Sequence, residues 1–187
     1  EYEKFVEVAK DAAAQIELLL ARPRLTAGQK SSLEGSLATA AFNVGRGSFF
    51  LGKWMETETQ MRKTIALRDD ERSTGFQANR QYLSVALARQ GRIAEAAEVL
   101  KSAKMETLEA VYARGDRCYF TRQRLARGLY AASFLEPDDD SGRQKKQTLL
   151  RRAQALLDES TEEGKQLSEQ LELRRLIDEE LAKLPAK

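Results

Sequence analysis

The chain of 187 residues contains no histidine and a single cysteine. Without His, Ser-His-Asp and Cys-His catalysis, most catalytic zinc sites and simple imidazole pH switching are excluded. The lone Cys118 cannot form an internal disulfide, so the chain does not use the cross-linked scaffolding of small secreted domains. A reducing, cytoplasmic setting is the expectation. With 3 Pro and 11 Gly, the sequence is poor in the residues that punctuate loop-rich or all-β folds. No uncharged apolar run approaches the ~18 residues of a membrane span. The longest uncharged run, Gly35 to Gly45, contains Ser, Thr and Asn. No basic-plus-apolar leader is visible at the start, so no signal peptide is expected. Neither sign of charge predominates: 31 Lys and Arg face 29 Asp and Glu, a net +2. That balance argues against a nucleic-acid-binding arm or a polybasic membrane anchor.

What is present is helix-forming sequence. Hydrophobic residues make up 42% of the chain, enough for a core, and charged residues 32%, enough for a well-solvated surface. The length suits one domain, 1–187, or a short array of repeats. Apolar residues recur at steps of three and four. Phe5, Ala9, Ala12, Ile16 and Leu19 form one stripe, predicting an N-terminal helix over about 2–21, ended by Arg22-Pro23. Thr26 reads as an N-cap for a second helix running toward Phe50. Gly52 breaks it, and Trp54, Thr57, Met61 and Thr64 continue to about Arg68. A polar turn over 69–73 precedes a third long helix with Phe76, Leu83 and Leu87; Gly91 breaks that, and Ile93, Ala96 and Leu100 line a fourth. The stretch from Ala110 to Gly115 is ambiguous. A helix through Cys118, Leu125 and Leu129 ends near Pro137, and Pro137 to Gly142 reads as a surface loop. Leu149 to Leu157 form the next helix, and a strongly acidic C-terminal helix spans about 160–184, from Thr161 to Leu184, with a solvated outer face as its expected role.

The most informative segment runs from Tyr82 to Ala103. One helix carries Leu83, Ser84 and Leu87, Gly91 makes a tight turn, and a second helix carries Ile93, Ala96 and Leu100. This resembles a tetratricopeptide repeat, a helix-turn-helix unit of about 34 residues in which small residues let the helices approach. Upstream, Val44, Gly45 and Ser48, the turn at Gly52, and Trp54, Thr57 and Met61 look like the same unit, with the two turn glycines 39 residues apart. A third, weaker match uses Leu125, Ala126 and Leu129, then Ala153 and Leu157. Together the matches cover 33–157. The resemblance implies an all-α fold of antiparallel helix pairs stacked as a right-handed superhelix, an α-solenoid, with capping helices at both ends.

Three further motifs tempt. Gly47-Ser-Phe-Phe-Leu-Gly52-Lys53 fits the start of a phosphate-binding loop, but Trp54 stands where Ser or Thr must hold magnesium, and the helical register explains the segment better. Asp138-Asp139-Asp140 suggests calcium, yet a loop counted from Asp138 places Arg143 where Gly belongs and Leu149 where Glu belongs. Cys118 has Arg114, Arg117 and Arg122 nearby in sequence but no general base, and reads as a half-buried structural residue. The arginines from Arg114 to Arg127, interleaved with Tyr112, Tyr119 and Phe120, suit an acidic peptide, a helix face paired to neighbouring Glu residues, or single-stranded nucleic acid.

The resemblance implies a non-enzymatic protein-protein interaction module without cofactor or metal. Its leading helices, about Leu33–Phe50, Ser73–Gln90 and Asp116–Leu135, would line a concave groove. Asn43, Arg46, Gln81, Val85, Arg89, Gln123, Arg124 and Arg127 then face the groove, and Leu83, Leu87, Leu125 and Leu129 are left for the core. Four of those eight groove residues are Arg and none is acidic, so an acidic peptide or a free carboxylate is the expected ligand. A partner protein or a second copy of the chain is the expected partner, with no nucleic acid and no membrane. The alternative function is a regulatory, sensor or self-association domain of a larger bacterial-type regulator.

Overall fold

A computed structural model describes residues 1–68, 76–115, 118–162 and 168–185, with 160–162 described by backbone alone. Every regular element among them is an α-helix: α1 (Tyr2–Leu20), α2 (Ala27–Phe50), α3 (Trp54–Leu67), α4 (Phe76–Arg89), α5 (Ile93–Ser102), α6 (Met105–Ala113), α7 (Tyr119–Ser133), α8 (Asp140–Glu162) and α9 (Ser168–Ala182). The expected all-α class is what the chain adopts. The chain divides into two compact units, Glu1–Gly91 and Arg92–Lys187.

In the first unit α2 packs on α1, α3 and α4, and α3 packs on α4. Local chemistry sets the helix ends. Thr26 and Gln29 form a reciprocal capping box: the Thr26 hydroxyl accepts from the Gln29 N–H, and the Gln29 side chain accepts from the Thr26 N–H. At the other end of α2, Gly52 takes φ +71. Its N–H reaches the Phe49 carbonyl and the Lys53 N–H reaches the Ser48 carbonyl, satisfying two orphan acceptors while the chain reverses. Gly91 plays the same part after α4, at φ +79 with its N–H on the Ala88 carbonyl.

Helix α2 approaches α1 and α3 closely through small side chains. A methyl group at Gly47 would lie 2.4 Å from Val6 of α1, and one at Gly45 would lie 2.7 Å from the Met61 methyl of α3. Ala38, Ala40 and Ala41 are buried on the same helix. The core beside them is aromatic. Phe49 meets Phe50, Trp54 and Tyr82 edge-on at centroid distances of 5.3, 5.7 and 4.7 Å, and Tyr2 of α1 meets Phe50 at 5.0 Å. Glu56 ties three helices: it pairs with Lys10 of α1 and accepts from Ser48 of α2 at 2.9 Å. Burial pulls its pKa up, and the bonds from Lys10 and Ser48 outweigh that, leaving it below the usual carboxylate value. The tie therefore holds above the unfolded pKa and is lost as pH falls through the folded one.

In the second unit α7 is central and packs on α5, α6, α8 and α9, while α8 packs on α9. Leu125 and Leu129 are buried, as Leu83 and Leu87 are in the first unit. Helix α6 resolves the ambiguous stretch, starting at Met105 after Lys104 takes φ 52. The acidic loop is shorter than expected. Asp140 already lies in α8, and the Asp139 carboxylate caps that helix by accepting the Gly142 N–H at 2.7 Å. The C-terminal helix does not begin at 160 or Thr161, because α8 runs on through Glu162 and α9 starts at Ser168. Its acidic residues are also not all solvated. Glu180 is 2% exposed and accepts from Lys146 at 3.0 Å and Lys183 at 2.6 Å. The expected turn over 69–73, the expected helix starts at Ser73 and Asp116, and Arg117 and Leu167 lie outside the described residues. No helix among the described residues is long and apolar enough to cross a membrane.

Candidate binding surface

The groove residues expected from sequence fall on α2 and α4 of the first unit and on α7 of the second. On α2, Asn43 and Arg46 are half-buried. The Arg46 guanidinium lies over two rings, 5.2 Å from Phe5 of α1 and 5.7 Å from Phe42 one turn back, and donates to the Asn43 side-chain oxygen at 3.4 Å. That bond uses the acceptor end of the Asn43 amide and leaves its NH₂ group directed elsewhere. Phe42 in turn meets Tyr82 of α4 at 6.1 Å. On α4, Arg89 is half-buried with its guanidinium 5.5 Å from the Trp54 ring, while Gln81 and Val85 are fully buried. Of these groove residues, Asn43, Arg46 and Arg89 keep partial exposure, whereas Gln81 and Val85 do not.

On α7 the arginines differ sharply in setting. Arg124 is half-buried, and burial together with the neighbouring Arg127 charge pulls its pKa below the ordinary guanidinium value. Arg127 is 4% exposed and donates to Glu169 of α9 at 2.5 Å; Gln123, one turn earlier on the helix, is also buried. Arg122, also 4% exposed, lies 3.9 Å from Glu159 of α8, whose carboxylate accepts from the Tyr112 hydroxyl at 3.2 Å. Pairing with carboxylates of neighbouring helices accounts for Arg122 and Arg127. Cys118 is exposed at the start of α7, not half-buried, with its sulfur 3.3 Å from the Thr121 hydroxyl.

Sequence reasoning missed the aromatic partners Phe5, Phe42 and Tyr82, and it missed Glu169. The i, i+4 spacing of Phe42 and Arg46 on one helix face was a readable signal. The contributions of Phe5 and Glu169 come from other helices and left none.

Two of the tempting motifs have structural explanations. Gly47 to Phe50 form the last turn of α2, with Phe49 and Phe50 buried, so no phosphate-wrapping loop exists there. Trp54 is half-buried between Phe49 and Arg89. Trp54→Ala is expected to cost about 2 kcal/mol in a urea melt, below the range of fully buried Trp truncations. A calorimetric titration with Mg-ATP is expected to show no binding heat. The aspartates Asp138 and Asp140 both pair with Arg143, at 2.9 and 2.8 Å, and Asp139 is the helix cap. Among the described residues, no group of three or more acidic or cysteine side chains is placed to hold a metal ion.

Comparison of the chain with known protein families, with curated proteins and with solved structures finds no match.

Proposed function

We propose that the chain is a non-enzymatic helical-repeat module of the tetratricopeptide type that binds an acidic peptide of a partner protein through arginines on its leading helices. The carrying observation is the packing pattern within each unit. Helix α2 packs on its successor α3 and also on α4, and α7 packs on its successor α8 and also on α9. Contact with both the next helix and the next but one is how stacked helix pairs bury their faces. In this reading α2, α4 and α7 lead, and α6 is an insertion. Half-buried Arg46 and Arg89 lie on the leading helices of the first unit, and half-buried Arg124 lies on that of the second. Arg46 is held between two rings, which lowers the entropy lost when it grips a carboxylate. Such a module would act in the cytoplasm.

Fluorescence anisotropy with fluorescein-labelled hexaglutamate tests this reading. Arg46→Glu and Arg124→Glu are each expected to weaken binding about tenfold, and raising salt to 0.5 M to weaken it further, because the attraction is between partly exposed charges. Circular dichroism melts of both variants should stay near wild type. Binding indifferent to both reversals and to salt would refute the reading.

A further inference from the structure

Helix α1 carries more apolar surface than its neighbours cover. Val6 and Ala9 are buried with Val44 of α2, and Lys10 and Glu17 pair with Glu56 and Lys63 of α3, so α2 and α3 take one side of the helix. The apolar stripe continues round the other side, where Phe5 is half-buried, Val8 is 61% exposed and Ala12 is exposed. Residues three and four apart are neighbours on a helix, so Phe5, Val8 and Ala12 share one face and Lys4 and Asp11 border it. Both of these charged side chains are exposed, and neither makes an ion pair among the described residues.

This face is complementary to itself when a second copy lies across it in the opposite direction. With Val8 on the two-fold axis, Lys4 of each copy meets Asp11 of the other, and the Phe5 ring meets the small Ala12. One register satisfies both pairings, because the midpoints of 4 and 11 and of 5 and 12 fall half a residue either side of 8. A parallel pair would instead set Lys4 against Lys4 and Asp11 against Asp11. We propose that α1 is a homodimerisation helix: two copies of this chain pair antiparallel through the Phe5–Val8–Ala12 face, framed by two reciprocal Lys4–Asp11 ion pairs. A two-fold interface has this isologous form, in which residue i contacts j and j contacts i. The large-against-small pairing lets the helix axes approach, and the exposed ion pairs fix direction and register more than they add strength. A single helix face is a small interface, so the dimer is weak and forms reversibly with concentration.

Analytical ultracentrifugation of the full chain from about 10 to about 300 µM, the range suited to a small interface, tests this. The average mass is expected to rise with concentration from 21.0 kDa toward twice that value. Val8→Glu sets two like charges on the axis and is expected to weaken association at least about tenfold, with an unchanged melting temperature because the side chain is exposed. Lys4→Glu alone and Asp11→Lys alone are each expected to weaken it about threefold, since each leaves like charges facing across the axis. Mixing those two single variants is expected to restore wild-type association, because every anion then faces a cation again. These surface changes carry the test if Val8→Glu alters the fold. A wild type that stays monomeric throughout the range overturns the proposal and leaves the face to a helix of some other protein. Association that survives Val8→Glu, or that the charge reversals and their mixture leave unaltered, overturns it as well.

Discussion

Replacing Arg127 with Glu is expected to destabilise the protein by more than about 4 kcal/mol, read as the loss of urea midpoint or as failure to fold at 37 °C. From sequence, Arg127 and Arg124 look interchangeable: both lie on the same helix, three residues apart, and reversing either would be expected to spare the fold. The structure separates them. Arg127 is 4% exposed and its guanidinium lies against Glu169. Removing one partner of a buried ion pair strands the other charge in a poorly solvated site, which costs roughly 3–5 kcal/mol. A second carboxylate there adds repulsion to that loss. Arg124, half-buried, should lose less than about 1 kcal/mol on the same reversal. The swap Arg127→Glu with Glu169→Arg is expected to recover part of the loss, because opposite charges meet again in a site of similar shape. A melt in which Arg127→Glu and Arg124→Glu behave alike would show that the buried contact with Glu169 does not set the cost at Arg127.

The second large effect belongs to Gly47. Gly47→Leu is expected to cost about 3 kcal/mol or more, and Gly47→Ala about 2 kcal/mol. Even the Ala methyl would lie 2.4 Å from the Val6 side chain, which is 4% exposed and β-branched, and 3.1 Å from the Phe5 ring. Neither neighbour has a flexible end to retract, so α1 itself must back away from α2. Gly45→Ala meets the terminal methyl of Met61 at 2.7 Å, a group that can rotate aside, and should cost less than about 1 kcal/mol. Gly35, on the same helix, has nothing within 4 Å of the added carbon. There Ala should stabilise by about 0.5–1 kcal/mol, because only the helix propensity changes. Three identical substitutions in one helix thus have three different expected outcomes, and thermal melts rank them directly. Equal effects at Gly47 and Gly35 would refute the close approach of α1.

Helix positions were legible wherever a capping or breaking residue marked them. Thr26, Pro23, Gly52 and Gly91 each act through chemistry that depends on residue type, and the helix ends fall within three residues of them. The break between α5 and α6 was not legible because Lys104 makes it, with a left-handed backbone that its sequence neighbours do not announce. The start of α8 was misplaced for a related reason. Three consecutive aspartates read as solvated loop, whereas Asp139 is a cap and Asp140 already belongs to the first turn. Core leucines were legible from their spacing. The setting of each arginine was not, since it depends on which carboxylate a distant helix brings: Glu169 lies 42 residues from Arg127. Helical periodicity reports what faces inward, and it is silent on what waits there.

The most extensive packing is between helices that follow one another in sequence, from α1 on α2 through α3 on α4, and again from α7 on α8 to α8 on α9. Burial of each apolar face therefore requires closing only a turn or a short loop. Loop-closure entropy is small for such contacts, and helical proteins dominated by them fold in microseconds to milliseconds. A growing chain can also bury each helix against the one before it as synthesis proceeds, so the polypeptide need not wait for its far end before it starts to hide its apolar surface.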